Sequence, residues 1–262
     1  MQARRSAPLY ATERHEAIAG LVRQHGRVAV TDVAAQFGVT TETVRRDLAV
    51  LEKAGLLRRV HGGAVPTSSL TVVERAVADR DVERADAKDR IARAALDLVP
   101  AGGSIALDAG TTTVRLARLL PLDSPLLVVT SAVPVAAQLA GAGRVDLHLV
   151  GGRVRGTTHA AVGPDALAQI GALRVDTAFV GTNGITADHG LTTPDHDEAA
   201  LKRALVAAGR RVVVLADASK LGQEHLVRFA GLDQVDVLVT DASAPRRELK
   251  SLEARGVEVL VA

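Results

Sequence analysis

The sequence predicts a two-part α/β chain. A small helical head closed by a β-hairpin comes first. A larger α/β domain on a mostly parallel sheet follows. Three observations predict this. Residues 31–65 carry two short helical patterns separated by Gly38 and followed by an extended-turn-extended stretch. Beyond about residue 100, short Val/Leu/Ile-rich runs alternate with Ala-rich helical runs, the pattern of parallel strands covered on both faces. Finally, 262 residues with 47% apolar content can fill two cores, one of about 65 residues and one near 200. Aromatics are only 2%, so Val, Leu, Ile and Ala must fill those cores.

In the head, Thr12 to His25 places Ile18, Leu21 and Val22 on one helical face, and Gly26 stops it. Arg27 to Val30 can add a strand to the hairpin sheet. Thr31 is placed to cap the next helix, with Val33, Ala34 and Phe37 inward, and Gly38 supplies the turn. Thr40 opens a further helix on which Val44, Leu48 and Leu51 form one stripe, ended by Gly55. Leu56 to Val60 is extended, His61-Gly62-Gly63 turns, and Ala64-Val65 returns. This is a winged helix-turn-helix pattern, with a domain expected over residues 1–65.

Such a helix fits a DNA major groove. Arg45 and Arg46 point away from the apolar stripe and suit guanine edges or phosphates. Arg58 and Arg59 suit phosphate or minor-groove contact, and Thr41 and Thr43 can donate to phosphates. With Thr31, Glu42, Lys53 and His61, these form the candidate DNA-binding set. Asp47 lies nearer the stripe and is expected to pair internally with a basic side chain. The charge agrees: residues 1–66 carry 10 Arg/Lys against 6 Asp/Glu, although the whole chain is only +2. A solvated basic helix face is the plain alternative for the arginines taken alone.

The segment TTETVRRDLAVLEKAGLLRRVHGGAV resembles the winged helix-turn-helix of DeoR-family transcriptional regulators, whose Ser/Thr-rich start and T-V-R-R-D-L signature are matched by Thr40 to Leu48.

Pro66 to Ser69 is turn-prone, and residues 66–86 are expected to form a linker and connecting helix, within a charged helical stretch from Val73 to Val99. The remainder, 87–262, is expected to be a Rossmann-like α/β domain. Its candidate strands are Ser104–Asp108, Leu126–Thr130, Val145–Val150, Thr177–Gly181, Arg211–Ala216, Val235–Thr240 and Val257–Val261. In such sheets ligands sit beyond the carboxyl ends of the strands. Asp108, Gly110, Thr111, Thr112 and Thr113 follow the first strand, where a glycine and hydroxyls at a helix N-terminus suit a phosphate or other anion. A capped helix without ligand fits that motif equally. Thr130-Ser131, Gly151-Gly152-Arg153, Gly181-Thr182-Asn183-Gly184 and Asp217-Ala218-Ser219-Lys220 end later strands. Five polar strand ends in succession suggest a pocket for a small, polyhydroxylated, anionic ligand. Lys220 is one of 5 lysines against 27 arginines and can neutralise a phosphate. Glu198 and Lys202, four apart, read by spacing alone as a surface ion pair.

The motifs DAGTTT, VTS, LVGGRVRG, FVGTNGI, GLTTPDHDEAALKRAL and LADASK resemble the effector-sensing domain of the same DeoR family, itself similar to ribose-5-phosphate isomerase. That resemblance implies that Gly110 to Thr113 hold a phosphate while Glu198, Lys202 and Lys220 face a sugar. The full effector-binding set adds Asp108, Thr130, Ser131, Gly151, Gly152, Asn183 and Asp217. The isomerase likeness also implies acidic residues in the loop after the central strand. Gly181 to Ile185 has none, so binding without turnover is expected.

The expected function is therefore a sequence-specific regulator, read as a repressor, of a sugar or related carbon-catabolic operon, controlled by a phosphorylated sugar-type effector. Its expected partners are double-stranded operator DNA, that metabolite and further copies of itself as dimer or tetramer. The alternatives are a sugar-phosphate isomerase-like enzyme with an accessory DNA-binding head, and a DNA binder with a vestigial pocket. No cofactor is expected. The eight histidines form no HxxxH or HxH pair, which argues against a metal site. Without cysteine there is no disulfide framework. The N-terminal stretch MQARRSAPLYATERHEAI has no apolar run of signal-peptide length and no stretch approaches membrane-spanning length, so a cytoplasmic location is expected.

Overall fold

The computed structural model describes residues 10–25, 28–60, 62–66, 76–123 and 125–262; the side chains of Arg23 and Arg58 lie outside that description. The chain divides into two units, Met1–Ser69 and Leu70–Ala262.

The smaller unit contains α1 (Ala11–His25), β1 (Val28–Ala29), α2 (Val30–Phe37), α3 (Thr41–Lys53), β2 (Arg58–Val60) and β3 (Gly63–Val65). The strands form an antiparallel sheet in the order β1-β3-β2. Ile18, Val22, Val33, Val44, Leu48, Leu51 and Leu57 meet in its core. The expected cap at Thr31 is corrected: α2 begins at Val30, which is buried and donates its amide to the Gly62 carbonyl (2.8 Å). Thr31 is left exposed in the first turn, its hydroxyl on Asp32 (3.2 Å). Gly38 ends α2 at φ +65°, the left-handed conformation that costs glycine least. Thr40 caps α3 by accepting from the Thr43 amide (3.1 Å). At the other end Leu56 N–H bonds Leu51 O and Gly55 N–H bonds Glu52 O, the paired bonds of a Schellman stop. Gly63 lets β1 and β3 approach, since a Cβ there would meet the Val28 carbonyl at 1.9 Å.

The larger unit begins with α4 (Val77–Val82) and α5 (Ala85–Ala95). The single helical stretch expected from Val73 to Val99 is thus corrected. It breaks at Arg84, which holds φ +54°, and residues 73–75 lie outside the described residues. Then come β4 (Ser104–Leu107), α6 (Thr111–Leu119), β5 (Leu126–Thr130), α7 (Val133–Leu139), β6 (Val145–Leu149), β7 (Arg153–Val154), β8 (Ala161–Val162), α8 (Pro164–Gly171), β9 (Val175–Gly181), β10 (Gly184–Thr186), β11 (Gly190–Thr193), α9 (His196–Ala208), β12 (Gly209–Leu215), β13 (Val227–Ala230), β14 (Val237–Thr240), α10 (Arg246–Glu253) and β15 (Glu258–Val261).

Seven strands form one parallel sheet in the order β15-β14-β12-β9-β4-β5-β6. They are the seven expected strands, with ends shifted by no more than two residues. One face packs on α5, α6 and α7 through Ile91, Ile105, Leu116, Val128 and Leu139. The other packs on α8, α9 and α10 through Ile170, Ala178, Leu201, Val214 and Leu252. The chain runs outward from β4 to β6, then returns to β9 on the other side of β4. The crevice beyond β4 and β9 is therefore the switch point at which such sheets take ligands.

Candidate functional site

An open crevice of about 590 Å³, partly continuous with solvent, occupies that switch point. Ala109 to Thr113 line it at the start of α6, Gly181 to Asn183 at the end of β9, and Ala216, Asp217 and Lys220 after β12. Glu198 and Lys202 enter from α9, and Arg80, Glu83 and Lys88 from α4, α5 and the turn between them.

Asp108 lies behind this surface and organises it. Its fully buried carboxylate accepts from the Gly181 amide (2.9 Å) and from Lys202 Nζ, which also donates to Gly181 O (2.9 Å). Burial pushes the Asp108 carboxyl up, and the Lys202 ammonium and Gly181 amide pull against it. The ammonium also stands 5.6 Å from the Phe229 ring centroid. The surface pair expected between Glu198 and Lys202 is corrected. Both are buried, Lys202 faces Asp108, and Glu198 accepts from Arg155 (2.5 Å). Asp195 caps α9 and shares Arg155 (3.1 Å).

Lys88 is buried and donates to the carbonyls of Arg80 and Glu83, closing the end of α4. Burial lowers its pKa, while Asp217 favours its charged form and Lys220 and Arg115 oppose it. Arg80 brings a further guanidinium, whose Nε is buried with no hydrogen-bond partner among the described residues. Asp217 accepts from Ser219 and lies 3.3 Å from Arg84. Arg84 also reaches Asp241 (3.1 Å). Burial pushes Asp241 up, but Ser243, the Ala218 amide and Arg84 hold its carboxyl below the usual range.

Not every expected residue reaches the crevice. Thr111, Thr112 and Thr113 do line it, with the Thr113 hydroxyl donating to the carbonyls of Asp108 (2.7 Å) and Gly110 (2.9 Å). Thr130 is corrected to a structural role: its hydroxyl donates to Leu107 O and accepts from Ala132 N. Ser131, Gly151 and Gly152 are outside the lining, and the Gly151 amide bonds Gln169 (3.1 Å). Asn183 lines the crevice with its Oδ1 held by Thr193 (3.1 Å). The charged residues that sequence reasoning missed are Arg80, Glu83 and Lys88. The scarcity of lysine that drew attention to Lys220 applied equally to Lys88.

In the head, α3 presents Thr41, Glu42, Arg45, Arg46 and Lys53 to solvent. Glu42 lies 3.6 Å from Arg45 and 3.5 Å from Arg46, contacts that solvent weakens and that a phosphate can replace. Thr43 is half-buried against the Thr40 hydroxyl (2.9 Å). Arg59 is tied to Glu52 through its backbone amide (2.8 Å) and Nε (2.7 Å), which fixes β2 against α3. His61 and the Arg58 side chain lie outside the described residues. Asp47 is the internal partner expected: it accepts from Arg14 (2.6 and 3.0 Å) and bonds His15 (2.8 Å). Burial raises its pKa, but Arg14 and His15 outweigh burial and hold it low.

The two units thus define a class: a winged helix-turn-helix domain and an α/β domain with a polar, charged crevice at its switch point. Residues 14–69 match the DeoR-like helix-turn-helix domain, and residues 83–242 match the DeoR C terminal sensor domain. The chain belongs to the DeoR family of DNA-binding transcriptional regulators. It is 36% identical over 248 residues to the HTH-type transcriptional regulator GlpR of Haloferax volcanii, covering 95% of this chain and 96% of that one. It is 34% identical over 235 residues to the glycerol-3-phosphate regulon repressor of Escherichia coli K12, covering 89% and 92%. Among solved structures, ribose 5-phosphate isomerase A from Methanocaldococcus jannaschii matches at TM-score 0.40 and 19% identity, over 53% of this chain and 55% of that one.

Proposed function

We propose that this chain represses a sugar or related carbon-catabolic operon and that a phosphorylated sugar in the crevice controls its grip on the operator. One observation carries the ligand class. The backbone amides of Gly110, Thr111 and Thr112 at the start of α6, with the two threonine hydroxyls, share a crevice with Arg80, Lys88, Lys202 and Lys220. Glu198, Asp217 and Asn183 supply the acceptors that sugar hydroxyls need. The relative named as the glycerol-3-phosphate regulon repressor agrees with a phosphorylated ligand.

The crevice binds without turnover on this reading. The loop after β9 offers Thr182 and Asn183 rather than a carboxylate, and Glu198 is held by Arg155. A general base needs a titratable group free to take the proton. The ligand must favour one arrangement of the heads, with a coupling of about 1–3 kcal/mol, or roughly 5- to 150-fold in DNA affinity. Two or more chains present paired heads to paired half-sites, and the protein works in the cytoplasm.

The direct test is a mobility shift with DNA from upstream of the protein's own gene. The intact protein retards it, and Arg45→Ala/Arg46→Ala, with circular dichroism unchanged, does not. Retention of the shift by that variant contradicts the assignment of α3 to the groove.

A further inference from the structure

β6 is an edge strand: among the described residues it pairs only with β5. Its sequence, Val145-Asp146-Leu147-His148-Leu149, is self-complementary when read antiparallel about Leu147. In that register Val145 faces Leu149, Asp146 faces His148, and Leu147 faces its own copy.

The hydrogen-bonding pattern favours the same register. Arg144 O accepts from Leu126 and Val150 N donates to Thr130, so the even-numbered residues direct their backbone groups toward β5. By the alternation of a strand, the peptide groups of Leu147 and Leu149 and the carbonyl of Val145 point outward. The Val145 amide turns back to Ala142 O (3.2 Å). Around a two-fold axis at Leu147, the two Leu147 residues exchange a pair of bonds, and each Leu149 amide meets the other Val145 carbonyl. Asp146 and His148 then fall at the closer, non-hydrogen-bonded positions, where side-chain pairs interact most strongly. Both are exposed, at 76% and 54%.

The apolar surface is arranged to match. Val145 and Leu147 pack on the face covered by α6 and α7. Leu149 shares their face by the alternation of the strand and is exposed, as are Leu119 of α6 and Val133 of α7. Natural sheets blunt an open edge or pair it.

We propose that the outer edge of β6 is a dimerisation surface, at which a second copy of this chain pairs antiparallel through Leu147 and joins the two seven-stranded sheets into one. This supplies the pairing that the proposed function needs. The test uses neither DNA nor effector, so its failure leaves that function standing.

The full chain lacks cysteine, so a single introduced thiol reports cleanly. Leu147→Cys places two thiols on residues whose Cα atoms are about 5.5 Å apart, within the roughly 4.4–6.8 Å that a disulfide spans. Mild oxidation then yields a covalent dimer, whereas Glu253→Cys on α10 stays monomeric on a denaturing gel. In sedimentation, His148→Glu sets carboxylates opposite one another and weakens self-association about ten-fold. Adding Asp146→Lys to that variant restores it. A monomeric chain at tens of micromolar overturns the proposal. So does a dimer that neither cross-links at position 147 nor responds to the charge exchange. A ladder of higher polymers, the result of β6 pairing with β15 of another copy, also overturns it.

Discussion

Lys202 shows how one side chain can serve both fold and site. Its ammonium neutralises Asp108 beneath the crevice floor and ties β4 to β9 through Gly181 O. Removing one partner of a buried ion pair strands the other charge, at a cost of about 3–5 kcal/mol. Lys202→Ala should therefore lower stability by that amount in urea unfolding at neutral pH. The double variant Asp108→Asn/Lys202→Met should recover most of the loss, because no buried charge remains. Equal losses in both variants contradict an ionic role. Arg84, in its left-handed conformation, bridges Asp217 and Asp241 in a comparable way and holds the α4–α5 corner on the strand ends.

At the scale of the element, α3 is set by its two ends. Thr40 satisfies the Thr43 amide, and the Leu56 and Gly55 amides close the C-terminus. Thr40→Ala should cost about 0.5–2 kcal/mol in thermal unfolding of the head. Operator binding should weaken with it in parallel. Unchanged stability contradicts the cap. These ends were legible in the sequence because capping is local. So were the seven sheet strands, whose apolar runs are continuous, and the helix start at Gly110 to Thr113. The short antiparallel strands β7, β8, β10, β11 and β13 escaped, since two to four residues carry no period. The break at Arg84 escaped because nothing in a charged helical run marks a non-glycine left-handed residue. Lys88 and Arg80 escaped with it, since only that break turns α4 onto the crevice. The burial of Glu198 and Lys202 escaped for another reason: i,i+4 spacing says which residues share a helix face, not which face is covered. Arg155 and Asp108, which capture them, come from 43 and 94 residues away.

For the whole molecule, the α3 surface and the crevice have value together only if one controls the other. Tight ligand binding alone moves nothing; the ligand must bind the two states of the protein unequally. The decisive measurement is operator affinity across a panel of sugar phosphates already shown to raise the melting temperature of the chain by mass action. At least one stabilising compound should change that affinity by roughly 5- to 150-fold. The change should vanish in Lys220→Ala, while operator binding without ligand stays intact. A compound that stabilises the chain through the crevice yet leaves operator affinity unaltered at saturation contradicts the account.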